Sequence, residues 1–353
     1  MAKSKFKILS IDGGGIRGIF PAMVLANYEA ELKAKGVEKW QVYQNFDLIC
    51  GTSTGGIMAI ALGLGIPAKE IYELYLNNAK TIFGSKRLPI RQFFVSGHKR
   101  KSLEDLVKKK FAEAKNGEEP RLLDCKTGVA IPIYDMMEGR PSVLKSKYHD
   151  AFVRDYHIPA YQAALATSAA PTYFKPHFIS KVNHDFADGG LVSNNPSFIG
   201  IREVLIDMKN DFPNAEPKDV KILNIGTLSE NYCIGPKTLS QNCSKGYLGL
   251  WGMGERLVLS TMTANQHLQR FMLLRELKVL GISNNYIEID ETIPNEASSD
   301  ITLDNASQSS LNALKGMGEK LGAERYSEIK ELREFFLRTA KPFVKSNNNG
   351  VAA

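Results

Sequence analysis

Leu48-Ile49-Cys50-Gly51-Thr52-Ser53-Thr54-Gly55-Gly56-Ile57-Met58-Ala59-Ile60-Ala61-Leu62-Gly63-Leu64 decides how this chain is read. No charged residue occurs from Leu48 to Ala68, and an uncharged run of about 20 residues is long enough to span a bilayer. Five glycines and two threonines break the run, and its parts read better as a short buried strand, a tight turn and a buried helix. The turn Gly51-Thr52-Ser53-Thr54-Gly55 has the G-x-S-x-G form of a nucleophile elbow, in which a serine sits on a strained strand-to-helix turn. Gly51 and Gly55 are then required, because a side chain at either would collide with the adjoining strand and helix. The N-terminus of the following helix places a positive electrostatic end beside Ser53.

Outward from the elbow, β-rich runs alternate with helical patterns, the signature of a mostly parallel α/β sheet. Phe6 to Ile11, Phe46 to Cys50, Val129 to Tyr134 and Val220 to Ile225 read as strands. Ile19 to Lys35, Gly56 to Leu64, Ala68 to Ala79, Ser102 to Lys115, Ala160 to Ala169 and Asn195 to Asn210 read as helices. The expected fold is a three-layer α/β sandwich, a central sheet flanked by helices. Beyond Thr227 the pattern turns helical, with a long apolar periodicity over Gly246 to Leu280 and shorter stretches over Leu311 to Lys320 and Tyr326 to Thr339. This predicts a core over 6–227, a mainly helical extension over 228–344 packed on it, and a frayed tail over 345–353.

The chain has 353 residues, 43% hydrophobic and 24% charged, with a formal net charge of +7 and four cysteines. That excludes a disordered chain and a disulfide scaffold. Cys50, Cys125, Cys233 and Cys243 form no C-x-x-C pair, which argues against a structural zinc site. Lys3-Ser4-Lys5 leads straight into an alternating strand with no signal-peptide core, so a cytoplasmic location is expected.

A second glycine run, Asp12-Gly13-Gly14-Gly15-Ile16-Arg17-Gly18, follows the first strand and also fits the dinucleotide fingerprint G-x-G-x-x-G. That fingerprint wants an acid at the end of the second strand to hold a ribose, whereas Asp47 stands at the start of that strand. In a hydrolase the same glycines would offer unobstructed amides to a developing oxyanion, each donor being worth ~10²–10³ in rate. Both loops lie at the C-terminal edge of the sheet, where open α/β folds bind ligands. None of the six histidines, His98, His149, His157, His177, His184 and His267, lies in an obvious catalytic motif. Asp188 in Asp188-Gly189-Gly190 is the better base, provided it contacts the serine directly in a dry site.

Taken together with Ala166-Thr167-Ser168-Ala169-Ala170-Pro171-Thr172-Tyr173-Phe174 and Asn224-Ile225-Gly226-Thr227, these motifs resemble, in order and spacing, those of patatin-like phospholipases over roughly Phe6 to Thr227. The resemblance implies a Ser-Asp dyad with Ser53 as nucleophile and Asp188 as base. It also implies an oxyanion hole from Gly13, Gly14 and Gly15 with Arg17 as its basic residue, and no metal or organic cofactor. The implied activity is release of fatty acid from membrane phospholipid through an acyl-enzyme, at the inner membrane surface. Some bacterial relatives of this build resemble cyclic-nucleotide-activated effectors of anti-phage defence, so a cyclic nucleotide and a second copy of the chain are candidate partners, whereas a nucleic acid polymer is not. Two other readings stand beside it: an α/β-hydrolase triad of Ser53, Asp188 and His267, and a non-catalytic module that binds lipid or nucleotide through the glycine loops. The positive excess suits an anionic surface. Lys86, Arg87, Arg91, His98-Lys99-Arg100-Lys101 and Lys108-Lys109-Lys110, interleaved with Phe93 and Phe94, form the candidate docking patch.

Overall fold

A computed structural model describes residues 6–83, 100–149, 152–209, 216–228, 239–241, 246–293 and 301–336. Eight strands form one sheet: β1 (Phe6–Ile11), β2 (Leu48–Gly51), β3 (Gly128–Asp135), β4 (Arg140–Lys145), β5 (His177–Ile179), β6 (His184–Asp188), β7 (Val220–Ile225) and β8 (Tyr286–Ile289). Their order is β5-β6-β3-β2-β1-β7-β8, with β4 paired to β3. Strands β3, β2, β1, β7 and β8 run parallel, while β4, β6 and β5 are antiparallel additions at one side. The described helices that matter below are α1 (Ile19–Ala34), α2 (Thr54–Gly63), α3 (Ala68–Phe83), α4 (Arg100–Glu113), α5 (Ala160–Thr167), α6 (Ser197–Ile206), α7 (Glu255–Val279) and α8 (Gln308–Glu328).

Alternation along β1 explains the layers. Successive side chains of a strand point to opposite faces, so Leu9 and Ile11 join the apolar cluster under α1, α2, α3 and α8. Phe6 and Ile8 join a second cluster, under α6 and α7. Both faces are covered, which is why every residue of β1 and β2 is buried, Lys7 and Ser10 included. On the first face α8 lies close against α1, because Gly318 has no side chain: a Cβ there would sit 2.9 Å from Met23 Cβ and 3.0 Å from the Phe20 carbonyl oxygen. Phe335 and Phe336 close this core, their rings 5.9 and 5.7 Å from that of Phe46, and such pairs add about 0.5–1.5 kcal/mol beyond burial.

The last third is therefore not only helical. It supplies β8 as the sheet's edge strand, and α8 as part of the main core. The long periodicity over 246–280 resolves into a short helical turn at Gly246–Gly249 followed by the continuous α7. The expected tail at 345–353 lies outside the described residues. No described helix is long and apolar enough to cross a membrane.

Registers along β3 place the site. All of Ala130–Asp135 pairs with β4 on one edge. The other edge is divided: β2 takes Gly128–Ala130 and β6 takes Ile133–Asp135 in the opposite direction. The two strands meet tip to tip with Cys50 opposite Ala130 and Asp188 opposite Ile133, a separation of about 10 Å along β3 at ~3.3 Å per residue. The elbow after β2 and the carboxylate that ends β6 fill that interval.

Candidate active site

Ser53 has φ 55° and ψ −120°, a left-handed conformation that a residue with a side chain rarely adopts and that the surroundings must enforce. The enforcement is steric on both sides. A Cβ on Gly51 would lie 2.0 Å from the Gly55 carbonyl oxygen, and one on Gly55 would lie 2.2 Å from that of Ile11. The turn is thus pressed between the ends of β1 and β2 as the G-x-S-x-G spacing requires. The Ser53 amide donates to Thr167 Oγ1 at 3.0 Å, and the Thr167 hydroxyl donates onward to the Pro132 carbonyl at 2.8 Å. Pro132 has no N–H, so the interval of β3 between the two strand tips offers an acceptor there rather than a donor. Thr167 lies in a motif that is visible in the sequence, but nothing local to it reveals this relay.

The Ser53 hydroxyl donates to Asp188 Oδ2 at 2.6 Å, and Asp188 Oδ1 accepts the Gly190 amide at 2.7 Å. Backbone bonds from Asp188 to the Ala169 carbonyl, 3.0 Å, and from Gly189 to the Thr167 carbonyl, 3.1 Å, fix the carboxylate's own chain to the end of α5. Asp188 is fully buried, and burial pushes its carboxyl up to about 6 despite the opposing effects of the Ser53 hydroxyl, the Gly190 amide and the Arg100 guanidinium. A base in that range is ionised at neutral pH yet more basic than an ordinary carboxylate, which suits it to accept a hydroxyl proton. The expected direct contact between serine and carboxylate is present.

His267 sits exposed on α7, and the hydroxyl that a triad would present to histidine is engaged by Asp188. His177, on β5, is held neutral instead: burial lowers it to about 3, with Arg100 adding to the effect. Asp135, Glu138 and His184 bring ligand atoms within 4.8 Å of one another. Asp135 already accepts from the Met137 and Glu138 amides and pairs with His184 Nδ1 at 2.7 Å, so a hydrogen-bonded turn accounts for the group.

The glycine loop corrects one expectation. The Gly13 amide donates to the Asn194 carbonyl at 3.1 Å, which removes it from the set that can receive an oxyanion. Gly13 serves instead to admit Asn194, whose Oδ1 would lie 2.3 Å from a Cβ at that position. Among the described residues the amides of Gly14 and Gly15 donate no hydrogen bond, so they remain available. Gly15 has φ +56°, and a Cβ there would meet the Leu303 carbonyl oxygen at 2.3 Å. The Ile16 amide donates to that same carbonyl at 2.9 Å, so the C-terminal third clamps the loop. Arg17 is buried, and its guanidinium donates to the Leu228 carbonyl at 3.2 Å. In this geometry it tethers the loop to the segment after β7.

Beside Ser53 opens a narrow apolar pocket of about 50 Å³, walled by Ile57, Tyr75, Ile82, Phe83, Leu103 and Phe174. Those residues come from α2, α3, α4 and the loop after α5, so no single stretch of sequence announces the pocket. Its apolar lining against a nucleophile and a base matches the hydrocarbon side of an ester substrate.

Arg100 leaves the expected docking patch. It is largely buried, donates to the Leu165 and Lys175 carbonyls, and lies 5.9 Å from the Phe174 ring centroid. It therefore pins the start of α4 beside the pocket and lends positive charge toward Asp188. Lys108 pairs with Glu119, and Lys110 with Glu70 and Glu113, which leaves a solvated face with both signs of charge. Lys86, Arg87, Arg91, Phe93, Phe94, His98 and Lys99 lie outside the described residues.

Comparison with known proteins places this geometry in context. Residues 9–199 match the sequence model described as "Patatin-like phospholipase". A protein of Vibrio cholerae named "cGAMP-activated phospholipase" is 45% identical over 348 residues, covering 97% of this chain and 97% of its own length. One of the same name from Escherichia coli is 43% identical, covering 98% of this chain and 96% of its own. "Patatin-like protein 2" of Arabidopsis thaliana is 30% identical over 89% of this chain and 82% of its own.

Proposed function

The chain belongs to the patatin-like phospholipase family and is a lipid acyl hydrolase, and from that premise we propose that Ser53 and Asp188 cleave fatty acyl esters of membrane phospholipid under the control of a cyclic nucleotide. The observation that carries the chemistry is the 2.6 Å hydrogen bond from the Ser53 hydroxyl to a buried carboxylate, on a backbone forced to φ 55°.

The acyl chain enters the apolar pocket, and its ester carbonyl lies against Ser53. Ser53 Oγ attacks the carbonyl carbon while its proton passes to Asp188 Oδ2, and the oxygen that becomes negative is received by the Gly14 and Gly15 amides. When the tetrahedral species collapses, the bond to the glycerol oxygen breaks and that oxygen takes the proton from Asp188. A water then attacks the acyl-serine carbonyl and gives one proton to Asp188; on collapse the bond to Ser53 Oγ breaks, the fatty acid leaves carrying the water oxygen, and Asp188 passes that proton to Ser53 Oγ. The substrate surface is the phospholipid bilayer, which in a cytoplasmic chain means the inner membrane face. A second copy of the chain is a candidate partner.

Control by a cyclic nucleotide rests on the relatives. Two proteins named for cGAMP activation align along nearly all of this chain at 43–45% identity. We place regulation in the extension over 228–344, whose α7 bonds to the segment around Asn194 beside the catalytic loops. Fatty acid release from phospholipid vesicles should rise at least tenfold when cGAMP is added. Release that ignores cGAMP would remove the regulatory part of the proposal, and absence of release under either condition would remove the substrate.

A further inference from the structure

α7 lies beyond the family-matched span, yet it presents three carboxamides to the catalytic loops. Asn265 Oδ1 accepts the Asn194 amide at 3.2 Å, while Asn265 Nδ2 and Gln269 Nε2 donate to the Val192 carbonyl at 2.8 and 3.4 Å. Between them, Gln266 makes two side-chain bonds of a different kind. Its Nε2 donates to Asp12 Oδ2 at 3.0 Å, and its Oε1 accepts Asn194 Nδ2 at 2.9 Å. Asn194 in turn holds Gly13 at both polar groups, accepting the Gly13 amide on its backbone carbonyl at 3.1 Å and donating Nδ2 to the Gly13 carbonyl at 3.3 Å. Asp12 also accepts from Asn224 at 2.7 Å and Asn195 at 3.3 Å.

These bonds have one consistent polarity. Burial pushes the Asp12 carboxyl up from its usual range, but both its oxygens accept from side-chain amide nitrogens, so Gln266 turns its nitrogen toward Asp12 and its oxygen toward Asn194. Asn194 must then present its nitrogen to Gln266 and to Gly13 together. The polar chain Asp12–Gln266–Asn194–Gly13 encloses the two residues before Gly14 and Gly15, whose amides are the free ones. Sequence offers no hint of it, since Gln266 stands more than 200 residues from the loop in an ordinary amphipathic helix.

We infer that Gln266 is a positioning residue for acyl transfer, holding from α7 the glycine loop whose Gly14 and Gly15 amides receive the substrate oxygen; this rests on the dyad reading above. A displacement of about 1 Å in such a site is enough to lower a rate ~10²-fold, so losing the two Gln266 bonds that hold Asp12 and Asn194 reaches the chemistry. The extension thereby acquires a defined mechanical route to the chemistry.

Gln266→Met in the full chain keeps the side chain's length and removes both bonds. On a soluble p-nitrophenyl ester kcat should fall ~10²-fold, the loss expected from one mispositioned oxyanion donor, with KM within about twofold. Affinity for a trifluoromethyl ketone, whose hemiketal oxygen occupies the oxyanion position, should fall by a similar factor, and binding of oleate should stay within twofold. Asn265→Leu, which loosens α7 but leaves the polar chain intact, should stay within tenfold of wild type. Equal losses in the two variants, or a fall in oleate binding that matches the fall in kcat, would assign Gln266 to helix docking alone and overturn the inference, as would an unchanged kcat. Should Gln266→Met fail to fold, Gln266→Asn, one methylene short of both partners, is judged by the same criteria. Every value is taken relative to wild type, whose ester hydrolysis and its loss in Ser53→Ala test the underlying reading separately.

Discussion

Asp188→Asn is expected to lower kcat by up to ~10⁴-fold, the upper range of a general base, while making the folded protein more stable at neutral pH. The two effects have one origin. Burial lifts the folded carboxyl from 3.8 to about 6, so the folded state binds a proton more tightly than the unfolded chain. Stability then falls as pH rises through that interval. At about 1.4 kcal/mol per unit, an ionised Asp188 at pH 7–8 costs the folded state on the order of 3 kcal/mol. Asparagine removes the charge and keeps a group of the same shape beside Ser53. Wild type should accordingly lose kcat/KM as the pH drops below about 6, where the base becomes protonated, and should hold a plateau above it. Melting temperatures of the two proteins at pH 5 and pH 8, with ester hydrolysis alongside, check both halves. A variant less stable than wild type at pH 8 would mean that the buried charge is compensated by groups other than Ser53, Gly190 and Arg100.

Gly55→Ala should be among the most damaging single methyl groups in the described residues. Its Cβ would lie 2.2 Å from the Ile11 carbonyl oxygen and 2.7 Å from that of Asp12. Both are backbone atoms of the central strand's end, so neither can yield cheaply. Overpacking costs about 1–3 kcal/mol even where side chains can shift, and here the top of that range or more is expected. Relief would push the glycine loop and the elbow apart, so activity should fall with stability. Gly316→Ala is the control. It lies within α8 with no atom inside 4 Å of its Cβ, and a helical glycine-to-alanine change should gain up to ~1 kcal/mol. Chemical denaturation of both variants measures the contrast, and a Gly55→Ala protein within 1 kcal/mol of wild type would show that the elbow is not held by this contact.

What was legible in the sequence was local. The elbow and the glycine loop declare themselves because each is a short stretch whose glycines answer to nearby backbone, and Phe6–Ile11 and Val220–Ile225 are legible as strands from their short β-rich patterns. Asp188 could be chosen as base from the two glycines after it. That it ends a strand could not, since His184–Asp188 is short and largely polar and pairs only through registers with β3 and β5. The removal of Gly13 from the oxyanion donors depends on Asn194, 181 residues away, and the Thr167 relay on a hydroxyl brought in by α5. Arg100 was misread because a run of positive charge reports composition, not direction; its guanidinium turns inward onto two carbonyls. The strand Tyr286–Ile289 was hidden by its shortness within a helical context.

The central claim is that Ser53 becomes acylated with Asp188 as its base. Reaction of the full-length protein with a slowly deacylating p-nitrophenyl ester, quenched in acid and digested, allows the peptide carrying Ser53 to be weighed. The dyad predicts that peptide heavier by one acyl group in wild type and unmodified in Ser53→Ala, with adduct formation in wild type slowing as pH falls below about 6. Steady ester turnover with Ser53 unmodified at every time point, or an adduct that forms equally fast in Asp188→Asn, would contradict it.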